Sequence, residues 1–155
     1  MKIKYRTYKG EALLNTGINV TPIGVIETPF KNHKELHIPP WKPEAPYHNP
    51  DIHGKVNLFK EYWEGAKSIE PLSYYMLVFH FDRSEGYELT TVSSREGKSM
   101  GVFSTRSPYR PNGIGISIVQ FISVKEEELI FRGVDILDGT PLLDIKPYFE
   151  ARPFD

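Results

Sequence analysis

A chain of 155 residues, 39% hydrophobic and 25% charged, is long enough for one domain with its own core and is unlike a disordered protein. Its formal net charge of −1 excludes a uniformly basic nucleic-acid binder, so any polyanion site must be local. The absence of cysteine excludes disulfides, thiolate metal sites and a cysteine nucleophile, and fits a reducing compartment.

In chain order, MKIKYRTYK sets Ile3, Tyr5 and Thr7 against Lys2, Lys4, Arg6 and Tyr8, the alternation of an edge strand with a charged face. Residues 1–20 therefore read as an N-terminal extension before a domain at 21–150. No apolar run of signal-peptide length opens the chain, and the run from Tyr74 to Phe79 is too short to span a bilayer. A cytoplasmic protein without a membrane partner is expected. Strands are predicted at 20–28, 54–59, 72–81, 101–105, 115–124, 129–137 and 140–145, most of them separated by Gly, Pro, Asp or Asn, at the spacing of a β-barrel or sandwich. One short helix is predicted in LFKEYWEGAK, 58–67, ended near Gly65. A long Pro- and His-rich loop, KNHKELHIPPWKPEAPYHNPDIH, occupies 31–53. The acidic KEEE at 125–128 reads as a solvated hairpin turn.

The chemistry concentrates in RSPYRPNGIGIS, 106–117. The stretch GVFSTR places Arg106 at the end of a predicted strand, and Pro111 limits the freedom of Arg110. From Arg95 to Arg110 four bases (Arg95, Lys98, Arg106, Arg110) stand against one acid, Glu96, a seat for a carboxylate or phosphate. The competing reading is internal pairing to an acid such as Asp138. Asn112-Gly113-Ile114-Gly115 lets backbone approach something closely or simply turns into the next strand; no helix follows, which excludes a dinucleotide fingerprint. Asp138-Gly139 is a turn, after which Asp144, Lys146 and Tyr148 alternate with apolar residues, as a site or as a paired surface stripe. His80 ends the most apolar strand. His33, His37, His48 and His53 lie in the long loop without a converging acid, so no metal is expected. Trp41 is either an aromatic platform for a purine or a lid on the barrel.

TPIGVIETPF, LVFH, GVFSTRSPYRPNGIGIS and GVDILDGTPLLDIKPY, in this order, resemble the TsaA-like family, whose characterised branch is the TrmO-type tRNA methyltransferases, with this chain a divergent, archaeal-like member. The resemblance implies a mostly β protein, a single small closed β-barrel with one short helix and long loops, which forms a homodimer and binds S-adenosyl-L-methionine without a Rossmann sheet. It implies cofactor contacts from Pro39, Pro40, Trp41, His80, Phe81, Arg106, Ile116, Asp138, Gly139, Thr140 and Pro141. It further implies methylation of the exocyclic amine of threonylcarbamoyl-adenosine beside a tRNA anticodon. Arg110, Asn112 and Lys146 would then face the substrate, and Asp138, Asp144 or Tyr148 would accept the proton of the nucleophile. Two positions depart from the family pattern: Gly113 replaces a proline, and Pro40-Trp41 replaces a polar pair. They keep open a methyltransferase of a small metabolite or another RNA, and a non-catalytic barrel that binds an adenosine ligand or RNA.

Overall fold

Alternation of inward apolar and outward polar side chains builds a closed wall of strands in the computed structural model, which describes residues 18–36, 38–39, 42–93 and 95–149. The edge strand expected from MKIKYRTYK lies outside the described residues. The wall is made of β1 (Gly24–Glu27), β2 (His53–Leu58), β3 (Tyr74–His80), β6 (Ile114–Lys125), β7 (Glu128–Arg132) and β8 (Thr140–Pro147). They close antiparallel in the order β1-β2-β7-β6-β3-β8, so the expected barrel is present. Ile26, Val56, Leu77, Val119, Phe121, Phe131 and Leu142 point inward and are fully or almost fully buried. Among the described residues no helix is long and apolar enough to cross a membrane.

Several boundaries differ from expectation. The predicted helix is a 3-10 segment, Lys60–Ala66, with no side-chain cap at Phe59. The run 101–105 is not a barrel strand. Only Ser99–Gly101 (β5) is extended, pairing with Thr90–Val92 (β4) in a separate two-stranded arm, and Val102–Ser104 is a 3-10 turn. The hydroxyl of Thr105 donates to the Val102 carbonyl at 2.9 Å, a local bond that competes with a strand ladder. Arg106 therefore leaves a turn, not a strand end. The run 129–137 also breaks early: β7 stops at Arg132 because Gly133 adopts φ +88.

That break shapes the molecule. β7 and β8 stand three strands apart around the barrel, so the segment 133–139 must cross its end, and Val134 and Ile136 plug the interior. β7 reaches only to Gln120 of β6, leaving Ile114–Val119 paired to β3 on one edge and, among the described residues, to no strand on the other.

The turn before β6 carries positive φ at Asn112 (68) and Gly113 (57), a region closed to proline. The departure at Gly113 is thus a change of backbone as well as of side chain. A Cβ there would lie 3.2 Å from His80 Nε2. Gly113→Ala is expected to lower stability by about 1–2 kcal/mol, through left-handed strain and this crowding. Thermal unfolding checks it; an unchanged midpoint would mean that the turn relaxes freely.

Candidate functional site

Two neighbouring clusters form where β3, β6 and β8 meet the long connections. In the first, β3 and β6 set His80 opposite Ile114, and the Phe81 N–H donates to the Gly113 carbonyl at 2.7 Å. Gly115 lies under the rings of Phe79 and Phe81, which meet edge to face at 5.3 Å; any Cβ there would come within 2.3 Å of Phe79. The glycine is required by that close approach.

Asp138 and Gly139 reach the same region from the plugging segment. Their N–H groups donate to the carbonyls of Phe30 (2.7 Å) and Ile26 (2.8 Å). The Asp138 carboxylate accepts from the Thr28 N–H at 3.0 Å and from Lys31 Nζ at 2.6 Å. The Lys31 hydrogen bond, then that of Thr28, holds the carboxyl below its ordinary pKa. Arg83, three residues after His80, donates to the Asp138 carbonyl and so ties the end of β3 to the Asp-Gly turn. Sequence reasoning gave Arg83 no role. Beside Asp138 an open cleft of about 480 Å³ is lined by Thr28, Lys31, His53 and Lys55, among others.

The second cluster fills the edge of β6 that β7 leaves uncovered. Arg106 Nη1 donates to the Ile116 carbonyl at 3.3 Å, and the Tyr47 hydroxyl donates to the Ile118 carbonyl at 2.6 Å. The two side chains take up carbonyls of β6 that β7 does not reach. Between them the Ser117 hydroxyl donates to Asp135 Oδ1. Burial pushes the Asp135 carboxyl up to about 6, against the opposing pull of Ser117 and Arg106. Burial, and then the charge of Asp135, also raise the Tyr47 phenol. Asp135 and Tyr47 are absent from the sequence-level candidates; the available signal was an acid inside the apolar run Gly-Val-Asp-Ile-Leu.

The structure unites His80, Phe81, Asp138, Gly139, Thr140 and Pro141 at one place, with Arg106 meeting Ile116 two residues along β6 from Ile114. Neither Arg106 nor Arg110 forms an ion pair with an acid among the described residues; Arg110 donates to the Thr105 carbonyl at 3.2 Å. The internal pairing to Asp138 considered for them is made by Lys31 instead. Asn112 sits at the apex of the exposed turn before β6. Asp144, Lys146 and Tyr148 lie farther down β8, opposite Val78, Met76 and Tyr74, so Tyr148 is about 20 Å along the sheet from the His80 level. Asp144 pairs with Lys146 at 2.6 Å, the stripe reading of that row. Tyr148 lies near enough to Tyr47 to influence its phenol, beside the second cluster. Pro39 accepts from the Lys42 N–H at 3.0 Å, while Pro40 and Trp41 lie outside the described residues. Among the described residues no group of His, Asp or Glu side chains converges as a metal site.

A closed antiparallel barrel of six strands, with His80, Arg106 and the Asp138–Gly139 turn near the β3–β6–β8 junction, defines a small non-Rossmann β-barrel. Residues 25–152 match the tRNA-methyltransferase O N-terminal domain, and the chain belongs to that family. It is 46% identical to a "Probable S-adenosyl-L-methionine-binding protein" of Pyrococcus abyssi, over 82% of this chain and 66% of that protein. It is 35% identical to the Escherichia coli tRNA (adenine(37)-N6)-methyltransferase, over 81% of this chain and 55% of that one. The crystal structure of TrmO from Pseudomonas aeruginosa superposes with a TM-score of 0.68 at 32% identity, covering 88% of this chain and 62% of the other. The chain thus spans under two thirds of the length of each.

Proposed function

We propose that this barrel binds S-adenosyl-L-methionine and serves methyl transfer to the exocyclic amine of threonylcarbamoyl-adenosine beside a tRNA anticodon, in the cytoplasm and as a homodimer. The names of the P. abyssi and E. coli relatives support the cofactor and the adenine. The observation that carries the reading is the pair Arg106 and Arg110: two guanidinium groups on one loop, satisfied by main-chain carbonyls and paired to no acid among the described residues. Such cations are available to a carboxylate and a phosphate.

The residues present fit the cofactor. Its carboxylate can meet the Arg106 guanidinium, which is paired to no acid among the described residues, and His80, Ile116 and the Asp138–Pro141 turn border the same junction; the space over Gly115 itself is taken by the rings of Phe79 and Phe81. The cofactor supplies an electrophilic methyl on sulfur; the chain supplies placement, the dominant requirement for such a displacement. Asp138, already engaged by Lys31 and Thr28, acts by holding its turn rather than by taking up a proton.

Arg110 and Asn112 face the RNA, together with the arm β4–β5. Leu89 and Val102 are hydrogen-bonded through their main chains, as are Glu88 and Tyr109, which gathers the exposed Tyr87, Leu89, Phe103 and Tyr109 beside Arg95 and Lys98. Phe103 is 75% exposed, the placement of a ring that stacks on a partner, not of one that fills a core. The outward side chains Tyr74, Ile114 and Ile116 of the β3–β6 face form the patch for a second copy.

Titration calorimetry tests the reading. Arg106→Ala is expected to lower affinity for S-adenosyl-L-methionine by more than tenfold, about 1.4 kcal/mol or more, with the fold retained. Arg110→Ala should keep cofactor affinity and weaken tRNA binding, with a shallower dependence on salt. Wild-type protein that binds no cofactor, or an Arg106 variant of full affinity, would defeat the proposal.

A further inference from the structure

Asp135 is held where an aspartate is expensive: in the segment that plugs the barrel, between the fully buried Val134 and the almost fully buried Ile136. Its carboxylate docks on the Ser117 hydroxyl, and the Arg106 guanidinium docks on the carbonyl of the preceding residue, Ile116. The two charges are thus fastened to consecutive residues of β6, on the stretch that β7 does not reach. They feel each other electrostatically, yet no ion pair joins them. A carboxylate and a guanidinium fixed side by side but apart present the complement of an α-amino-acid zwitterion, whose ammonium and carboxylate are separated by a single carbon.

We infer that Asp135 and Arg106 clamp the amino-acid end of the cofactor, Asp135 taking the α-ammonium and Arg106 the α-carboxylate. The inference rests on the S-adenosyl-L-methionine reading above and adds to it a residue and a ligand group.

The electrostatics agree. A desolvated carboxylate without a cation in contact holds its proton to about pH 6. The groups facing it are Ser117 from β6, Arg106 from the loop before β6, and Tyr47 from the β1–β2 connection, with Tyr74 and Tyr148 near Tyr47. An arriving ammonium supplies the missing contact, favours the ionised form and expels the proton.

The test is proton-linked titration calorimetry at pH 6, in buffers of different ionisation enthalpy, with three ligands. They are S-adenosyl-L-homocysteine, its decarboxylated analogue (amine kept, carboxylate removed) and 5′-methylthioadenosine, which lacks the amino-acid end. The first two should each expel about half a proton more than the third. Asp135→Asn, which keeps an acceptor for Ser117, should bind S-adenosyl-L-homocysteine about tenfold more weakly or worse and lose the extra proton release. Arg106→Ala should lose S-adenosyl-L-homocysteine but hold the decarboxylated analogue as wild type does. If the Asn variant does not fold, the wild-type proton counts carry the test alone. Equal affinity and equal proton release for all three ligands would overturn the clamp and leave the cofactor reading intact. Binding of none would overturn both.

Discussion

Phe131→Ala is expected to destabilise the protein by about 3–5 kcal/mol, toward the upper end of that range. Phe131 is fully buried, and its ring meets Phe121 edge to face at 6.3 Å. Across the β2–β7 pair it faces Gly54, where a Cβ would fall 2.3 Å from the tip of the ring. The ring lies flat over a residue without a side chain, so its removal leaves a cavity that no side chain of Gly54 can enter. Urea denaturation should show a lower midpoint at unchanged slope. Gly54→Ala alone should also destabilise, by collision. In the double variant the new methyl no longer meets a ring, so the two losses should fall short of additive. A loss under about 1 kcal/mol for Phe131→Ala would mean that the barrel collapses around the void, contrary to a rigid β2–β7 register.

The same residue shows what could be read before the fold was known. Strands whose apolar residues alternate, such as Val119, Phe121 and the β3 run, were legible because period-two burial leaves that pattern directly. The register was not: nothing in the sequence announces that Gly54 sits opposite Phe131. Gly-Val-Phe-Ser-Thr looked like a strand by composition, but the Thr105 hydroxyl turns back on Val102, leaving Val102 buried and Phe103 in solvent. Leu-Ile-Phe-Arg-Gly-Val-Asp-Ile-Leu looked like one strand because its apolar content is continuous, and the break is a conformational choice of Gly133. The site followed the same division. Local charge and family motifs single out Arg106, Arg110 and the Asp-Gly-Thr-Pro turn as candidates, whereas the tie from Arg83 to Asp138 and the pairing of Ser117 with Asp135 depend on segments that meet only after the barrel closes.

Asp135 then supplies the second large effect, and its sign is opposite to that of most buried substitutions. In the folded protein its carboxyl holds a proton to about pH 6, while an unfolded aspartate releases it near 4. Between those values the folded state binds more protons than the unfolded state, so stability falls as pH rises through that window and stays reduced above it. A shift of this size corresponds to roughly 3 kcal/mol at most. Asp135→Asn offers Ser117 the same acceptor without a charge to desolvate. The variant is therefore expected to be more stable than wild type at pH 8, by up to about 3 kcal/mol, and to match it near pH 4. Urea denaturation across pH 4–8 measures both limits. A variant less stable than wild type at pH 8 would mean that Arg106 and Ser117 already compensate the buried charge fully. The expected result makes the carboxylate a standing destabilisation above about pH 6, and a cation bound against it would relieve that cost.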